Sequence, residues 1–231
     1  MQKWRHKSCV YCGKSATTSD HVPPKLLLER PLPTRATTVP ACHACNGGFS
    51  LDEQYFWVLL GQVSPSPAIA EKVSPGGAID RTLQRSPKLE ERLGRTVERT
   101  AEGADIYIQV EHNRINRVLG KIALGLYFAR YGRSPPAPGI NVIGAYLYTM
   151  QDSRPLGLIV STHNERFRPK RWSHVQRGVF SYIFVRDPRS YGHLICVMDF
   201  HQTLWGAVRL AQPRKRKATS GRQIRLLLIC A

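Results

Sequence analysis

A chain of 231 residues with 42% hydrophobic content can bury a core and is too apolar for wholesale disorder. Its 34 Lys and Arg outnumber 16 Asp and Glu, for a formal net charge of +18. Such an excess repels itself in a compact state unless a polyanion is a frequent neighbour, so nucleic acid is the first expected partner and an anionic membrane surface the second. No apolar run approaches eighteen residues, which predicts no membrane-spanning helix. The opening "MQKWRHKSC" lacks the apolar stretch of a secretory leader, and the expected compartment is the cytoplasm.

The first segment, residues 1–61, holds two Cys-x-x-Cys pairs: Cys9 and Cys12 in "CVYCG", then Cys42 and Cys45 in "PACHACNGG". In a reducing compartment such pairs point to metal rather than to disulfides. The order C-x2-C-x29-C-x2-C lets each pair grip one tetrahedral zinc from a tight turn. Four thiolates close the coordination shell, so this zinc is expected to be structural. A segment of about 50 residues draws only about 3–5 kcal/mol from its core, whereas structural zinc supplies about 10–16 kcal/mol. Cys196 and Cys230 stand singly in apolar runs and read as small buried hydrophobes.

Between the pairs lies "TSDHVPPK", with Asp20 beside His21. The predicted layout is a strand ending at Asp20-His21, a proline-bearing loop, a second strand over 37–40 and a helix near the second pair, which makes a ββα unit. "SLDEQYFWVLLG" then reads as a helix with Ser50 as cap and Glu53 as the capping-box acid.

Residues 62–138 read as a connector and helices. The stretch 62–77 carries three Ser-Pro steps and a Gly pair and is predicted to be irregular. A polar helix is expected from a Ser86 cap, with Pro87 in its first turn, through Glu98. "EHNRINRVLGKIALGLYFARYG" is the strongest helical signal. Ile115, Val118, Leu119, Ile122 and Leu126 make one face, and Leu124 and Phe128 add a second, so the helix is expected to be central. Gly120 and Gly125 weaken it unless another element approaches closely.

Over 139–231 the pattern changes to strands: "NVIGAYLYT", "LGLIVSTH", "GVFSYIFVRD", "HLICVMDFH", "TLWGAVRLA" and "QIRLLLIC". "HLICVMDF" is apolar on both faces, as in a sheet covered by the long helix. The fold class is therefore α+β: a zinc-stapled ββα finger, then helices and a mainly antiparallel sheet. Two basic stretches are candidates for nucleic acid. One mixes Arg166, Arg168, Lys170, Arg171 and Arg177 with Phe167 and Trp172; the other runs Arg214, Lys215, Arg216, Lys217 to Arg222. Cations neutralise phosphates and exposed rings stack on bases, while a solvated loop with tucked-in aromatics is the alternative for the first.

"CVYCG", "DHVPPK", "TTVPACHACN" and "GGFSLDEQYF", in that order, resemble the HNH endonuclease family, also called the His-Me finger or ββα-metal nucleases. The resemblance covers about the first 60 residues. It implies that His21 is the general base and that Asp20 and Asn46 hold a divalent cation such as Mg²⁺. It further implies a nucleic-acid substrate, with double-stranded DNA expected, and products carrying a 5′-phosphate. Thr37 or Thr38 stands where the family's middle Asn is placed, and a threonine can orient an imidazole only through its hydroxyl or its backbone. His43 is left between phosphate contact and plain surface placement, Glu53 between capping and the metal's vicinity, and Lys25 between solvent and phosphate. Two rival functions stay open: a zinc-knuckle nucleic-acid-binding protein without cleavage, and an effector subunit docking a larger assembly, or a second copy of itself, through the C-terminal sheet.

Overall fold

The computed structural model describes residues 7–34, 36–63, 67–94, 97–99, 106–108, 110–132, 141–149, 160–161, 171–187 and 193–211. Strand β1 (Thr18–His21) pairs antiparallel with β2 (Thr38–Ala41), which sets Asp20 opposite Val39 and His21 opposite Thr38. A 3-10 turn at Lys25–Leu27 lies between them, and α1 (His43–Gly48) follows β2 directly. The predicted ββα order is therefore present.

Helix α2 (Ser50–Val63) continues almost without a break from α1. Tyr55, Phe56, Trp57, Val58, Leu59 and Leu60 are all buried. Six consecutive buried positions exceed one helical face, so the middle of α2 is enclosed on every side, while Leu51 near its start is exposed. The capping box expected at its start does not form: the Ser50 hydroxyl donates to the Gly47 carbonyl at 2.8 Å, and the Glu53 carboxylate is drawn elsewhere. With the helix already running in from α1, the N–H groups that a cap would satisfy have carbonyl partners, as in Glu53 N–H to Phe49 at 2.9 Å.

The stretch predicted to be an irregular connector holds α3 (Pro67–Val73), before α4 (Ala78–Gln84) and α5 (Pro87–Gly94). Proline is tolerated in the first helical turn, and Ala-Ile-Ala-Glu-Lys are competent helix formers, so the Ser-Pro steps bound a helix rather than prevent one. The helix expected through Glu98 stops at Gly94. Residues Val97–Arg99 instead form β3, paired antiparallel with β4 (Ile106–Ile108).

Helix α6 (His112–Tyr131) realises the strongest periodic signal. Ile115, Val118, Leu119, Ile122 and Leu126 are buried as predicted. Gly132 closes it at φ 64°, a left-handed conformation that glycine adopts without a Cβ penalty. The helix lies on a five-stranded antiparallel sheet ordered β5-β9-β8-β7-β6, formed by β5 (Asn141–Thr149), β6 (Ser173–Gln176), β7 (Phe180–Arg186), β8 (His193–Phe200) and β9 (Leu204–Ala211). Edge strand β6 falls inside the stretch read as a basic loop. Four of the six predicted strands match β5, β7, β8 and β9. "QIRLLLIC" lies outside the described residues, as does "LGLIVSTH" apart from Val160 and Ser161, which are helical.

Leu194, Cys196, Met198 and Phe200 join the apolar cluster that contains α6 and α2. Ile183, Val185, Ile195, Val197 and Ala207 form a second cluster on the opposite face. The larger cluster runs from Val10 in the finger to Leu210 in β9, so finger, helices and sheet share one core. Phe56 of α2 and Phe200 of β8 meet edge-on with ring centroids 5.1 Å apart.

The close approach expected at Gly125 is to the finger itself. A Cβ at position 125 would stand 2.5 Å from Val22 Cγ2, one residue beyond His21. Val22 is 1% exposed and cannot retreat freely. Gly125→Ala is thus expected to destabilise the fold by about 1–3 kcal/mol through overpacking, despite alanine's better helix propensity; the midpoint of denaturant unfolding measures it.

Candidate metal centre and the acid-histidine cluster

The first knuckle is a tight turn. Gly13 N–H closes on the Cys9 carbonyl at 2.9 Å, and Gly13 takes φ 76°. It is stitched to β2 by Val10 N–H to the Pro40 carbonyl, also at 2.9 Å. The second knuckle opens α1, where Cys42 is the N-cap and its Sγ accepts from Cys45 N–H at 3.4 Å. That N–H draws the Cys42 thiol down to about 7, into the range where thiolate is plentiful at neutral pH.

The Sγ atoms of Cys9, Cys12, Cys42 and Cys45 all lie within 4.8 Å of one another, and those of Cys12 and Cys42 are 3.6 Å apart. Thiolates about 2.3 Å from a shared tetrahedral zinc stand roughly 3.8 Å apart. The four cysteines can thus hold one metal ion, in a geometry consistent with structural zinc. They are also the one group of three or more His, Cys, Asp or Glu side chains, among the described residues, placed closely enough to do so. Cys196, read as a buried hydrophobe, is fully buried in β8.

Asp20 is 5% exposed and sits at the centre of a polar cluster that the sequence reading did not contain. Its Oδ2 accepts the Tyr11 hydroxyl at 2.7 Å and lies 2.9 Å from Lys121 Nζ, and its Oδ1 accepts from Lys121 at 3.1 Å. Lys121 comes from the middle of α6 and is itself buried, with its ammonium also paired to the Glu53 carboxylate. The ring centroids of Phe49 and Tyr11 stand 5.2 and 6.0 Å from the same nitrogen. One cation, two carboxylates and two aromatic rings, one of them the Tyr11 phenol, thus meet where β1, α2 and α6 converge. Burial, opposed by Lys121, raises the Glu53 carboxyl. Burial and the neighbouring Asp20 charge push the Tyr11 phenol far upward, so it remains a donor.

His21 ends β1, half-buried. Burial lowers its pKa, with Lys25 and Lys121 adding to the effect and Asp20 opposing it. The imidazole is therefore neutral at pH 7, the form a proton acceptor requires. Thr37 contributes its carbonyl, which takes Val22 N–H at 2.9 Å, and Thr38 lies across the ladder from His21. Neither threonine hydroxyl is bonded to the imidazole. Asn46, on α1, donates its Nδ2 to the Ser19 carbonyl at 3.4 Å, which brings it beside Asp20.

The divalent ion that the resemblance implies finds a poor fit on Asp20 and Asn46. Asp20 is already engaged by an ammonium and a phenol, and Asn46 is turned through its amide nitrogen to a backbone carbonyl. A hard cation needs open oxygens; Asn46 keeps its Oδ1, but both oxygens of Asp20 are already taken, so the charged half of the pair is missing.

The remaining sequence candidates distribute as follows. His43 is exposed, its backbone N–H taken by the Thr17 hydroxyl at 3.1 Å. Lys25 is exposed in the 3-10 turn. Arg171 is exposed, and Trp172 is half-buried with its ring 5.5 Å from that of Trp205, which favours the tucked-in alternative for this aromatic. Arg166, Arg168, Lys170 and the stretch from Arg214 to Lys217 lie outside the described residues. The missed residues were Lys121 and Tyr11. The signal for the first was available: a lone lysine in "VLGKIALG", with Val118, Leu119 and Ile122 around it, is a cation on a buried helical face.

Two outcomes are expected. Elemental analysis of purified protein should give about one zinc per chain, lost in Cys42→Ala together with cooperative melting of the finger. Lys121→Met should cost about 3–5 kcal/mol in a denaturant titration, because it strands two carboxylates in a dry site.

Comparison of the chain with family models, with curated proteins and with solved structures returns no match.

Proposed function

We propose that this chain is an HNH-type nuclease that hydrolyses phosphodiester bonds of nucleic acid, with DNA as the expected substrate. The observation that carries the reading is the placement of His21. A neutral, half-buried imidazole ends β1 of a ββα unit, and Asn46, from the helix that grows from the second cysteine pair, reaches the same strand at the Ser19 carbonyl. The net charge of +18 suits a polyanionic substrate. The proposal includes zinc as the structural ion of the four cysteines and the cytoplasm as the compartment that keeps them reduced.

The mechanism rests on the chain's own side chains. His21 takes a proton from water as the oxygen attacks phosphorus, a role worth about 10²–10⁴-fold. The P–O3′ bond breaks, the 5′-phosphate stays with one product, and the 3′ oxygen is protonated by solvent. Asp20 offsets the Lys121 charge, which would otherwise lower the imidazole's basicity further. Mg²⁺ on Asp20 and Asn46 belongs to the family resemblance, and its site here is filled on the Asp20 side by Lys121.

That same pairing favours one alternative, a zinc-knuckle nucleic-acid-binding protein without cleavage, since an acid held by lysine is unavailable to a catalytic cation. Recruitment into a larger assembly through the C-terminal sheet is the variant of the nuclease reading in which the isolated protein is silent.

Purified protein should cut DNA, and His21→Ala should leave zinc content and DNA affinity near wild type while cleavage falls about 10²-fold or more. Because the base must be unprotonated and its pKa is lowered, the acid limb of the kcat/KM profile should fall below histidine's ordinary value of about 6.5. Equal cutting by His21→Ala would remove the assignment, and binding without cutting by the wild type, alone and with cell extract, would favour the binding module.

A further inference from the structure

A groove of about 490 Å³ runs between the finger and α6, immediately beside the acid-histidine cluster. Tyr11, Phe49, Gly120 and Leu124 supply apolar surface, and Asn113, Asn116 and Arg117 supply polar side chains from the same face of α6. Their spacing of three and four residues lines them along one edge.

Arg117 is the unusual member. Its side chain is 57% exposed, yet Nη1 lies 2.9 Å from Asp52 Oδ2, Nη2 donates to the Gly48 carbonyl at 3.2 Å, and the guanidinium carbon stands 5.6 Å from the Phe49 ring centroid. An exposed arginine ordinarily keeps about 2 kcal/mol of rotamer entropy; this one is held at three points in the folded protein. With Phe49 against one face, its exposure belongs to the other face and to the remaining N–H groups. The amides of Asn113 and Asn116 are turned to the groove with no partner among the described residues.

We infer that this groove binds an unpaired base of single-stranded nucleic acid, which stacks on the Arg117–Phe49 platform while its backbone phosphate meets the remaining N–H groups of Arg117. The inference rests on the nuclease reading for its meaning, since it makes the substrate a single-stranded or locally unwound segment delivered beside the Lys121–Asp20 cluster that precedes His21. The occupant follows from the lining. A duplex keeps its base faces stacked inward and offers phosphates outward, so it leaves the rings and Leu124 without a partner. An unstacked base offers a flat π-face to a ring or a guanidinium plane, and amide groups reach its edges. The overall positive charge draws the phosphate in.

The test is binding rather than cleavage. Fluorescence anisotropy compares wild-type protein on a labelled phosphorothioate oligodeoxynucleotide, which resists hydrolysis, with a duplex of the same length at one salt concentration. The single strand should bind about tenfold or more tightly, and Arg117→Ala should weaken it about tenfold, the scale of one lost stacking contact. Because Arg117 also touches Asp52, the isosteric, solvent-facing double change Asn113→Asp and Asn116→Asp serves as the second variant. It should weaken single-strand binding by a similar factor without moving the thermal midpoint. Wild-type affinity in both variants overturns the inference, and so does a duplex that binds as tightly as the single strand and loses as much. A failure of His21→Ala to stop cutting bears on the nuclease reading alone and leaves these affinities as they are.

Discussion

The buried ammonium of Lys121 is the interaction on which the arrangement of the finger depends. A charge taken out of water must be paired and hydrogen-bonded, or the site does not form. Lys121 meets that demand with Asp20 and Glu53, residues brought from β1 and α2 onto one face of α6. The requirement is directional as well as energetic. An apolar contact survives a slip of one helical turn, whereas an ammonium moved by 5.4 Å loses both carboxylates. The cluster therefore fixes the register of α6 against β1, and with it the position of His21.

Around that point, secondary ties remove the remaining freedom. Asp52 binds Arg114 at 2.7 Å and Arg117 at 2.9 Å, so α2 and α6 are joined at a second level. Farther along, Glu29 and Gln176 exchange hydrogen bonds at 2.9 and 3.2 Å and tie the loop after β1 to edge strand β6. The four-cysteine clamp organises the knuckles locally, but the ββα unit shares its core with the helices and the sheet. The finger is thus less a detachable module than one wall of a larger body.

What the sequence made legible follows the range of the interactions. Cysteine spacing, the 3.6-residue period of α6 and four of the apolar strands are local or strictly periodic patterns, and each led to the element observed. The readings that failed were decided at long range. Glu53 satisfied the local rule for a capping box, yet its carboxylate is claimed by a lysine 68 residues away. Asp20 stands in the stretch that resembles the nuclease motif, and the lysine that pairs with it lies 101 positions downstream, beyond the reach of any local pattern. The helix expected through Glu98 yielded to a strand because Val97–Arg99 finds a ladder partner in Ile106–Ile108, a pairing that propensity in one segment does not reveal.

Helix α6 meets the finger and the sheet at glycines. Gly125 admits Val22 of the finger, and Gly206 of β9 admits Leu119 of the helix, where an added Cβ would meet Leu119 Cδ2 at 2.8 Å. Each contact is a matched pair, one partner reduced to nothing so that the other can fill the space. In descendants of this sequence the two members of a pair are not free to drift separately: bulk gained at 125 requires bulk given up at 22, and the same holds for 206 and 119. Packing of this kind predicts correlated change at the two pairs, along a line that leads from the sheet through α6 to the residue after His21.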